Sequence, residues 1–580
     1  MPATTRTASI LAACGLAAAC APALAQTFPA ELHVEDLDGG NGFAVDGVPA
    51  APGLGRSVSN AGDVNGDGVD DFIVARANGA GLGATYVVFG DAGGFPAVID
   101  VEDLDGANGF RIDGFEPADV EGRSVARAGD VNGDGVDDII IGNARAAGGD
   151  GRASVVFGRA MGSGGFPAVV DLADLDGGDG FTLLGEAGFG YGVGNAVAGA
   201  GDVNGDGIDD VIVGSDDYYG AWRDSGRAHV IFGRTTGFDA TIPIGAAGGF
   251  AVIGEGYRAH LGRSVAAAGD INGDGLGDVI IGSTDWGGHP YYSVERAGAA
   301  YVIYGRAGTP SGTISIARLS GLGFEIRGQF DFENFGEAVA SAGDLNGDGV
   351  DDVIIGVRDA FRVGNSGAAW VIYGRGPGEP SFPELLLTEG LAASDGARFD
   401  GQFSGDQTGR SVAPLGDING DGLDDVAIGA WGWGATYPSE FGAAYVVYGR
   451  SDDFPSRVLL EDLGGEAGFR IRGENPSDEL GWSVSSAGDV NGDGARDILV
   501  GAPGAIESGG IGAGRAYVIY GQSGACPADV DGDGELTLFD FLAFQNLFDA
   551  GDPRADFDAD GSLTLFDFLA FQNAFDAGCP

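Results

Sequence analysis

Residues 63–71 read Asp63-Val64-Asn65-Gly66-Asp67-Gly68-Val69-Asp70-Asp71, and the rest of the chain is organised around this stretch. Side chains with oxygen atoms stand at its positions 1, 3, 5 and 9, and Gly68 follows the third of them, where the backbone must turn sharply. Hard cations such as calcium prefer several oxygens that converge from a short, curved loop. We therefore interpret the stretch as a metal loop in which Val69, at position 7, adds its backbone carbonyl.

Six further copies follow between residues 130 and 497, at a mean spacing of about 71 residues that indicates a repeated supersecondary unit. The sequence Asn-Gly-Asp-Gly also suits a plain turn, but a turn needs only glycine and one Asx residue. Every copy has Asp at positions 1, 5 and 9 and Asn at position 3, which favours calcium. The predicted ligands, loop by loop, are Asp63, Asn65, Asp67, Val69 and Asp71; Asp130, Asn132, Asp134, Val136 and Asp138; Asp202, Asn204, Asp206, Ile208 and Asp210; Asp270, Asn272, Asp274, Leu276 and Asp278; Asp344, Asn346, Asp348, Val350 and Asp352; Asp417, Asn419, Asp421, Leu423 and Asp425; Asp489, Asn491, Asp493, Ala495 and Asp497.

The composition indicates a folding, strongly acidic chain. It has 580 residues, 112 of them Gly, 44% hydrophobic residues and a formal charge of -56. Such a charge argues against nucleic acid or an anionic membrane surface as partner, and it suits a protein that binds many cations.

The first 25 residues resemble a secretory signal peptide. Arg6 precedes an apolar run, and Ala23-Leu24-Ala25 fits the small-residue cleavage rule. Lipoprotein processing at Cys20 is the alternative. No other apolar run is long enough to span a bilayer, so we predict a protein that is secreted or held at the surface of a bacterial-type cell.

From Phe28 to Gly521 the sequence alternates short apolar runs with turns rich in Gly and Asp, which is typical of β-strands. Each unit supplies about four strands, and such units repeated around an axis form a β-propeller. The chain begins with the last strand of a unit, Gly42–Gly47, and its seventh unit lacks that strand. We therefore predict a mainly β fold, a seven-bladed β-propeller that the N-terminal strand closes.

The repeats resemble the FG-GAP repeats of integrin alpha-subunit propellers and their bacterial relatives. The matching features are Gly-Arg-Ser-Val before the loop, as in Gly122–Val125, the loop itself, and the Val-Gly-Ala-Pro run Val500–Pro503. The resemblance covers nearly all of residues 28–521. It implies calcium on the face opposite the ligand, and it implies no catalysis.

The C-terminal segment repeats a different calcium motif. Two twelve-residue loops carry oxygens at positions 1, 3, 5, 9 and 12, and each precedes an apolar helical pattern, Leu538–Phe548 and Leu565–Phe575. Cys526 and Cys579 bracket the segment, and an even pair in a secreted chain indicates a disulfide. The predicted ligands are Asp529, Asp531, Asp533, Glu535, Thr537 and Asp540 in the first loop, and Asp556, Asp558, Asp560, Ser562, Thr564 and Asp567 in the second.

This duplicated loop and helix resembles a dockerin, the small α-helical calcium-binding module that binds a cohesin domain. Thr537 and Thr564 depart from the usual Asn at position 9. The resemblance implies a cohesin-like partner and two calcium ions, beside about seven in the propeller. The predicted domains are the signal peptide at 1–25, the propeller at 26–524 and the dockerin-like domain at 525–580.

Aromatic residues are concentrated in the loops between the second and third strands of the middle blades. All metal loops join first to second strands, so these aromatic loops should lie on the opposite face. They provide large contact areas for a ligand, or they pack against neighbouring loops to make them rigid, and the sequence leaves both interpretations open. The candidates are Tyr218, Tyr219, Trp222, Trp286, Tyr291, Tyr292, Trp431, Trp433 and Tyr437.

No catalytic constellation is evident, since the four His residues are widely scattered and most carboxylates fall in the calcium loops. We expect a non-enzymatic adhesion or scaffold protein that binds a protein or glycan ligand. The alternative is an accessory or catalytic component of an extracellular polysaccharide-degrading assembly, with a carboxylate pair for glycoside hydrolysis.

Overall fold

The computed structural model describes residues 28–49, 51–76, 83–115, 122, 124–146, 149–160, 162, 164–186, 190–218, 225–255, 259–284, 297–330, 333–360, 366–434, 441–505, 512–522, 538–550, 568, 571, 572 and 575. The chain divides into two compact units. One is Gln26–Ser523, and the C-terminal helix belongs to the other.

The larger unit is a seven-bladed β-propeller, as predicted. Each blade is a sheet of four antiparallel strands, and the first strands of neighbouring blades pack against each other around a central axis. In blade order the first strands are Leu54–Gly62, Ser124–Gly129, Ala196–Gly201, Leu261–Gly269, Phe335–Gly343, Val412–Gly416 and Ser483–Gly488. The second strands are Asp71–Arg76, Asp138–Asn143, Asp210–Ser215, Asp278–Ser283, Asp352–Val357, Asp425–Ala430 and Asp497–Ala502.

The two outer strands complete each antiparallel sheet. The third strands are Ala84–Val88, Arg152–Val156, Arg227–Ile231, Ala299–Ile303, Ala368–Ile372, Ala443–Val447 and Arg515–Ile519. The fourth strands are Gly109–Asp113, Gly180–Leu184, Phe250–Ile253, Gly323–Arg327, Gly396–Asp400, Gly468–Arg472 and, in blade 7, Gly42–Asp46. A separate two-stranded ribbon joins Gly190–Tyr191 to Asp217–Tyr218.

A fifth, short strand lies parallel to the outer edge of every blade, which the four-strand prediction missed. In six blades it comes from the connection between the third and fourth strands of the following blade, and in blade 6 it comes from the residues that precede Gly42–Asp46, so each blade reaches back to cover the edge of its predecessor. Exposed strand edges otherwise promote aggregation. From blade 1 to blade 7 these strands are Val169–Asp171, Thr241–Pro243, Gly312–Ser315, Leu385–Leu387, Arg457–Leu459, Glu31–His33 and Val98–Asp100.

Phenylalanine stacking reinforces this overlap between blades. Phe110, at the start of a fourth strand in blade 1, stacks on Phe166, which precedes the fifth strand, at 4.2 Å between ring centroids. Phe181 and Phe238 repeat the contact in the next blade at 4.6 Å. The short connection needs an aromatic anchor because it contributes only three or four paired residues.

The N-terminal segment closes the ring at two blades. Gly42–Asp46 pairs antiparallel with Arg515–Ile519 and supplies the missing strand of blade 7, as predicted. The preceding residues Glu31–His33 pair parallel with Arg470–Arg472 of blade 6, and Phe28 stacks on Phe469 of the same blade at 4.4 Å. The start of the propeller therefore spans the junction between its last two blades.

The second unit contains the helix Leu538–Ala550, close to the predicted Leu538–Phe548. Phe571, where the backbone is also helical, stacks on Phe544 of that helix at 4.2 Å, and both rings are fully buried. No described helix combines the length and the apolar composition that crossing a lipid bilayer requires.

Candidate metal loops and the opposite face

The seven candidate metal loops join the first strand of each blade to the second, and neighbouring loops are in contact around one face of the ring. In five of the seven junctions the backbone N–H at position 1 donates to the Asp at position 8 of the following loop. The pairs are Asp63–Asp137 at 3.1 Å, Asp130–Asp209 at 3.0 Å, Asp270–Asp351 at 2.7 Å, Asp344–Asp424 at 2.9 Å and Asp489–Asp70 at 3.0 Å.

The position-8 carboxylate links neighbouring loops, a contact that the sequence did not predict. Blades 4 and 7 have Gly277 and Arg496 at this position instead, so the signal was an Asp that recurs in five loops without being one of the expected ligands.

Position 1 organises the interior of each loop. In blade 1, Asp63 Oδ1 accepts the N–H of Asp67 at 3.0 Å, and its Oδ2 accepts the N–H of Gly68 at 2.8 Å. Asp67 Oδ1 in turn accepts the N–H of Val69 at 2.9 Å. The same bonds recur in the other loops, so the backbone is curved as the spacing of Asp and Gly predicts.

Position 9 lies beneath the loop and is completely buried. Asp138 Oδ2 accepts the N–H of Val131 at 3.0 Å, and its Oδ1 accepts that of Gly158, just after the third strand, at 2.8 Å. Burial raises the pKa of Asp138 to about 8, and Asp134 and Asp130 raise it further by charge repulsion. Asp210, Asp278, Asp352 and Asp497 also have a pKa of about 8. Seven carboxylates are thus buried beside other carboxylates, and none of them has an ion pair with an Arg or His among the described residues.

Position 3 leaves an oxygen atom without a partner in two loops. The Nδ2 groups of Asn65 and Asn204 lie 3.4 and 3.5 Å from the position-9 carboxylates, whereas their Oδ1 atoms are buried and accept no hydrogen bond from any described residue. An orphaned amide oxygen beside buried carboxylates fits a hard cation, because that cation would supply the missing positive charge.

The described residues do not contain a group of three or more His, Cys, Asp or Glu side chains that is already arranged around a metal. The position-1 carboxylates are turned toward backbone N–H groups. The predicted set is mixed, since it takes an amide oxygen from position 3 and a carbonyl oxygen from position 7 as well as carboxylates. The donor types fit calcium, but their convergence on one point is not seen.

Two apolar positions anchor the loops. Position 2, which the sequence analysis left without a role, is buried in all seven loops: Val64, Val131, Val203, Ile271, Leu345, Ile418 and Val490. The position-7 side chain lies against the glycine that follows the third strand, and a Cβ atom added to Gly158 would approach Val136 Cγ1 to 2.5 Å. These contacts hold the loop against the blade from both sides.

The described aromatic candidates on the opposite face pack within the protein. Trp433 donates its Nε1–H to Gln402 at 3.3 Å, and the Arg470 guanidinium lies over its ring at 4.4 Å. Trp431 contacts Trp482 at 5.1 Å between ring centroids. For Trp433 the packing interpretation is favoured.

Several predicted site residues lie outside the described part of the chain. Among the aromatic candidates these are Tyr219, Trp222, Trp286, Tyr291, Tyr292 and Tyr437, and for Tyr218 only the backbone is described. The signal peptide, Cys526, Cys579 and the C-terminal loop ligands also lie outside it, except that Asp540 falls in the helix Leu538–Ala550.

Five stretches of the chain match the FG-GAP repeat family: residues 122–156, 261–303, 335–372, 408–447 and 480–519. They fall in blades 2, 4, 5, 6 and 7. The chain is also similar to integrin alpha pat-2 of Caenorhabditis briggsae, with 32% identity over 43% of this chain and 18% of the relative. Integrin alpha-4 of Xenopus laevis is 32% identical over 42% of this chain and 20% of the relative.

A phosphatidylinositol-glycan-specific phospholipase D of Bos taurus is 32% identical over 30% of this chain and 19% of the relative. The chain spans about a fifth of the length of these curated relatives. The fold is that of a seven-bladed β-propeller, and five of its blades contain stretches that match the FG-GAP repeat and resemble integrin alpha subunits.

Proposed function

We propose that this protein is a secreted, non-enzymatic calcium-binding propeller with an adhesion or scaffold role. It binds a protein or glycan ligand through the face opposite the metal loops, and it attaches to a cohesin-like partner through its C-terminal module. The observation that carries the proposal is the set of seven buried position-9 carboxylates without a cationic partner in the described residues, within a propeller similar to integrin alpha subunits.

Calcium acts here by neutralising charge. In each loop the carboxylates of positions 1, 5 and 9, the amide oxygen of position 3 and the carbonyl oxygen of position 7 would hold one ion. No carboxylate stands at position 12, where the first copy has Val74. Fewer charged ligands weaken binding, so we expect dissociation constants of roughly 0.1–1 mM, which is the extracellular regime.

Thermal unfolding of the full chain during a calcium titration tests this part. Bound calcium should stabilise the folded state by mass action, so the midpoint should rise by tens of degrees between chelator and millimolar calcium. Asp138→Asn should reduce the rise because it removes one buried ligand charge. Asp113→Asn is the matched control, since that carboxylate pairs with Arg111 in the fourth strand of blade 1, away from the metal loops. A thermal unfolding midpoint that does not change with calcium would contradict the proposal.

The ligand face can be tested with two tryptophan variants. Trp286→Ala should abolish retention of the ligand with nearly unchanged stability if the variable loops form the recognition surface. Trp433→Ala should instead lower stability, because Trp433 packs against Arg470 and bonds to Gln402. The ligand source is the extracellular fraction of the producing cells, and a Trp286→Ala variant that retains every bound component would contradict this surface.

The C-terminal module is assigned from its two loops and from the pairing of Phe544 with Phe571. These two phenylalanines stand 27 residues apart, as do the loop starts Asp529 and Asp556. Each loop is therefore followed by one of the stacked phenylalanines at the same distance in sequence. A pull-down with and without calcium should retain a cohesin-like partner only with calcium, and Asp529→Asn with Asp556→Asn should lose it. Capture of the partner that depends neither on calcium nor on these two substitutions would contradict this attachment.

The polysaccharide-degrading alternative requires a carboxylate pair free to exchange protons. Asp216 and Glu337 are brought together, but both contact Arg263, at 3.4 and 3.2 Å. Three arginines hold the pKa of Glu337 below its usual value against the effect of its burial. A carboxylate held ionised in this way is a poor general acid. Turnover of a polysaccharide panel by the purified protein would favour the alternative.

A further inference from the structure

The axis of the propeller opens into a cavity of about 610 Å³ on the face opposite the metal loops. Ligand sites for small molecules usually have volumes of about 300–1,000 Å³. Six of the residues that line this cavity come from the same position of their blades, immediately after a glycine at the start of the first strand. In the described residues these are Arg56, Asn195, Arg263, Glu337, Arg410 and Trp482.

The glycines make this arrangement possible. Gly55, Gly262 and Gly409 have φ values of 83°, 87° and 82°, a left-handed conformation that favours glycine. A Cβ atom at Gly409 would approach the carbonyl oxygen of Ala368 to 2.1 Å. In blade 4 the register shifts at this point, between Leu261 and Val265, as it does at a β-bulge. The bulge and the close backbone contact place the next side chain at the axis.

The lining of the cavity has more arginines, Arg56, Arg145, Arg263 and Arg410, than carboxylates, Glu337 and Glu479, in a chain whose formal charge is -56. Its centre is Glu337, whose side chain is 4% exposed and contacts three guanidinium groups, those of Arg263, Arg358 and Arg410. Asp216 and Asp359 also pair with Arg263 and Arg358 from outside the lining of the cavity, so these three arginines face three carboxylates. The remaining charged residues of the lining are Arg56, Arg145 and Glu479.

Arg56 adds a further cation to this group. Its guanidinium lies over the ring of Trp482 at 4.4 Å, and Arg410 lies over the same ring at 4.9 Å. Within the described part of the chain Arg56 has no ion pair within 4 Å. Burial lowers the pKa of Arg56, and the charge of Glu479 only partly opposes this effect. For Arg410, burial and the neighbouring Arg263, Arg358 and Arg56 lower the pKa, while Glu337 raises it.

We infer that this axial cavity binds the carboxylate of an acidic sugar unit, which deepens the glycan arm of the proposed function and rests on it. Planar guanidinium groups pair with carboxylates through two parallel hydrogen bonds, which a single neutral donor does not match. Asn143, Asn195 and Ser124 make the rest of the lining polar, although each also has a hydrogen bond within the protein, and Trp482 adds an aromatic surface. Such a lining suits a hydroxylated ring with one charge.

The net charge of the protein restricts the ligand further. Electrostatic interactions between exposed charges are screened beyond about 8 Å at physiological ionic strength. A long polyanion would extend past that distance over an acidic surface, where it would be repelled. A sugar with an isolated carboxylate would place its one charge among the arginines of the cavity without extending beyond it. The ligand is therefore a sparsely charged glycan rather than a dense polyanion.

The test uses the full chain in calcium buffer with methyl glycosides of glucuronic and galacturonic acid. Saturation-transfer NMR and calorimetry should detect binding of at least one of them, and its methyl ester should bind about tenfold more weakly or not at all. Arg56→Gln should weaken binding about tenfold without changing the thermal midpoint, because Arg56 holds no carboxylate in place. Arg111→Gln, in the fourth strand of blade 1 and outside the cavity, is the matched control and should bind normally.

Three results would overturn the inference: no binding of either uronoside, equal binding of acid and ester, or unchanged binding by Arg56→Gln. Stronger binding of N-acetylglutamate amide than of the uronosides would assign the cavity to acidic peptides instead. Retention of a native ligand that is insensitive to Arg56→Gln would leave the proposed function intact while rejecting this site, so the two failures are distinguishable.

Discussion

Two buried carboxylates, Asp406 and Asp478, make the free energy of unfolding depend on pH. They occupy equivalent turns before blades 6 and 7, and both are almost fully buried. Each accepts a backbone N–H three residues earlier, from Phe403 and Asn475, at 2.6 Å. Burial raises the pKa of both residues to about 6, against a usual value of 3.8. The folded protein therefore holds these protons more tightly than the unfolded chain.

The sign of the pH dependence follows from that difference. Between about pH 4 and pH 6 the unfolded chain has lost these protons while the folded protein keeps them, so the free energy of unfolding should fall as the pH rises. Above pH 6 Asp406 and Asp478 are ionised in both states, so these two residues cause no further loss of unfolding free energy. Asp406→Asn stays neutral and should flatten this part of the curve. Chemical denaturation at fixed calcium from pH 4 to pH 7 measures the effect.

The control for this prediction is Asp452→Asn, since Asp452 is 87% exposed. It should reproduce the curve of the unsubstituted protein. A curve for Asp406→Asn that keeps the full slope between pH 4 and pH 6 would contradict the assignment.

At the scale of elements, the metal loops form a chain of contacts rather than seven separate sites. Asp351 of blade 5 accepts the N–H of Asp270 in the blade 4 loop at 2.7 Å. Because Asp270 is also position 1 of its own loop, a change at Asp351 alters the loop of its neighbour. Blade 4 has Gly277 and blade 7 has Arg496 where the other five blades have this acceptor, so the contact is absent at the junctions of blades 3 and 4 and of blades 6 and 7.

Asp351→Ala should therefore lower both stability and calcium affinity. The N–H of Asp270 loses its acceptor in a partly buried place, which costs about 1–3 kcal/mol of unfolding free energy. Calorimetric calcium titration should show weaker binding of more than one ion, because the loops of blades 4 and 5 are both disturbed. Asp452→Ala is the control and should change neither quantity. Loss of affinity at one site alone would contradict the coupling.

The stacked phenylalanines form the second link between blades. Phe166 is buried against Phe110 and Phe89, and Arg159 lies over its ring at 4.8 Å. Phe166→Ala should lower the free energy of unfolding by about 3–5 kcal/mol, the range for a large buried aromatic residue. Phe403→Ala, at a ring that is 52% exposed, should cost far less. Denaturant unfolding compares the two, and equal losses would show that the stack does not hold the fifth strand.

At the scale of the whole molecule, the N-terminal residues hold the ring closed. Removal of residues 26–47 should leave blade 7 without its fourth strand and blade 6 without its fifth. The truncated protein should unfold at a lower temperature and become sensitive to proteases at its C-terminal blade. Removal of residues 26–37 alone is the matched comparison, and it should have a smaller effect because Gly42–Asp46 remains. Equal midpoints for all three chains would contradict closure by this segment.

The sequence predicts the closed propeller because the features that mark each blade recur at a regular spacing. The Asp-Asn-Asp-Asp spacing, the buried runs such as Asp138–Asn143 and the displaced strand Gly42–Asp46 all predict blades that close. The fifth strands were missed because three residues such as Val169–Asp171 are too short to show a pattern. The axial cavity was missed because Arg56, Arg263 and Arg410 stand about 150–200 residues apart and meet only after the ring has formed.

The pairing of Gly42–Asp46 with Arg515–Ile519 also fixes an order of events during protein synthesis. The two strands are separated by more than 460 residues, and ribosomes add about 5–20 residues per second. The earliest strand must therefore wait on the order of half a minute or longer before its partner exists. During that interval its N–H and C=O groups bond to water and have no strand partner, so the nascent chain is exposed to pairing with other chains until translation is complete.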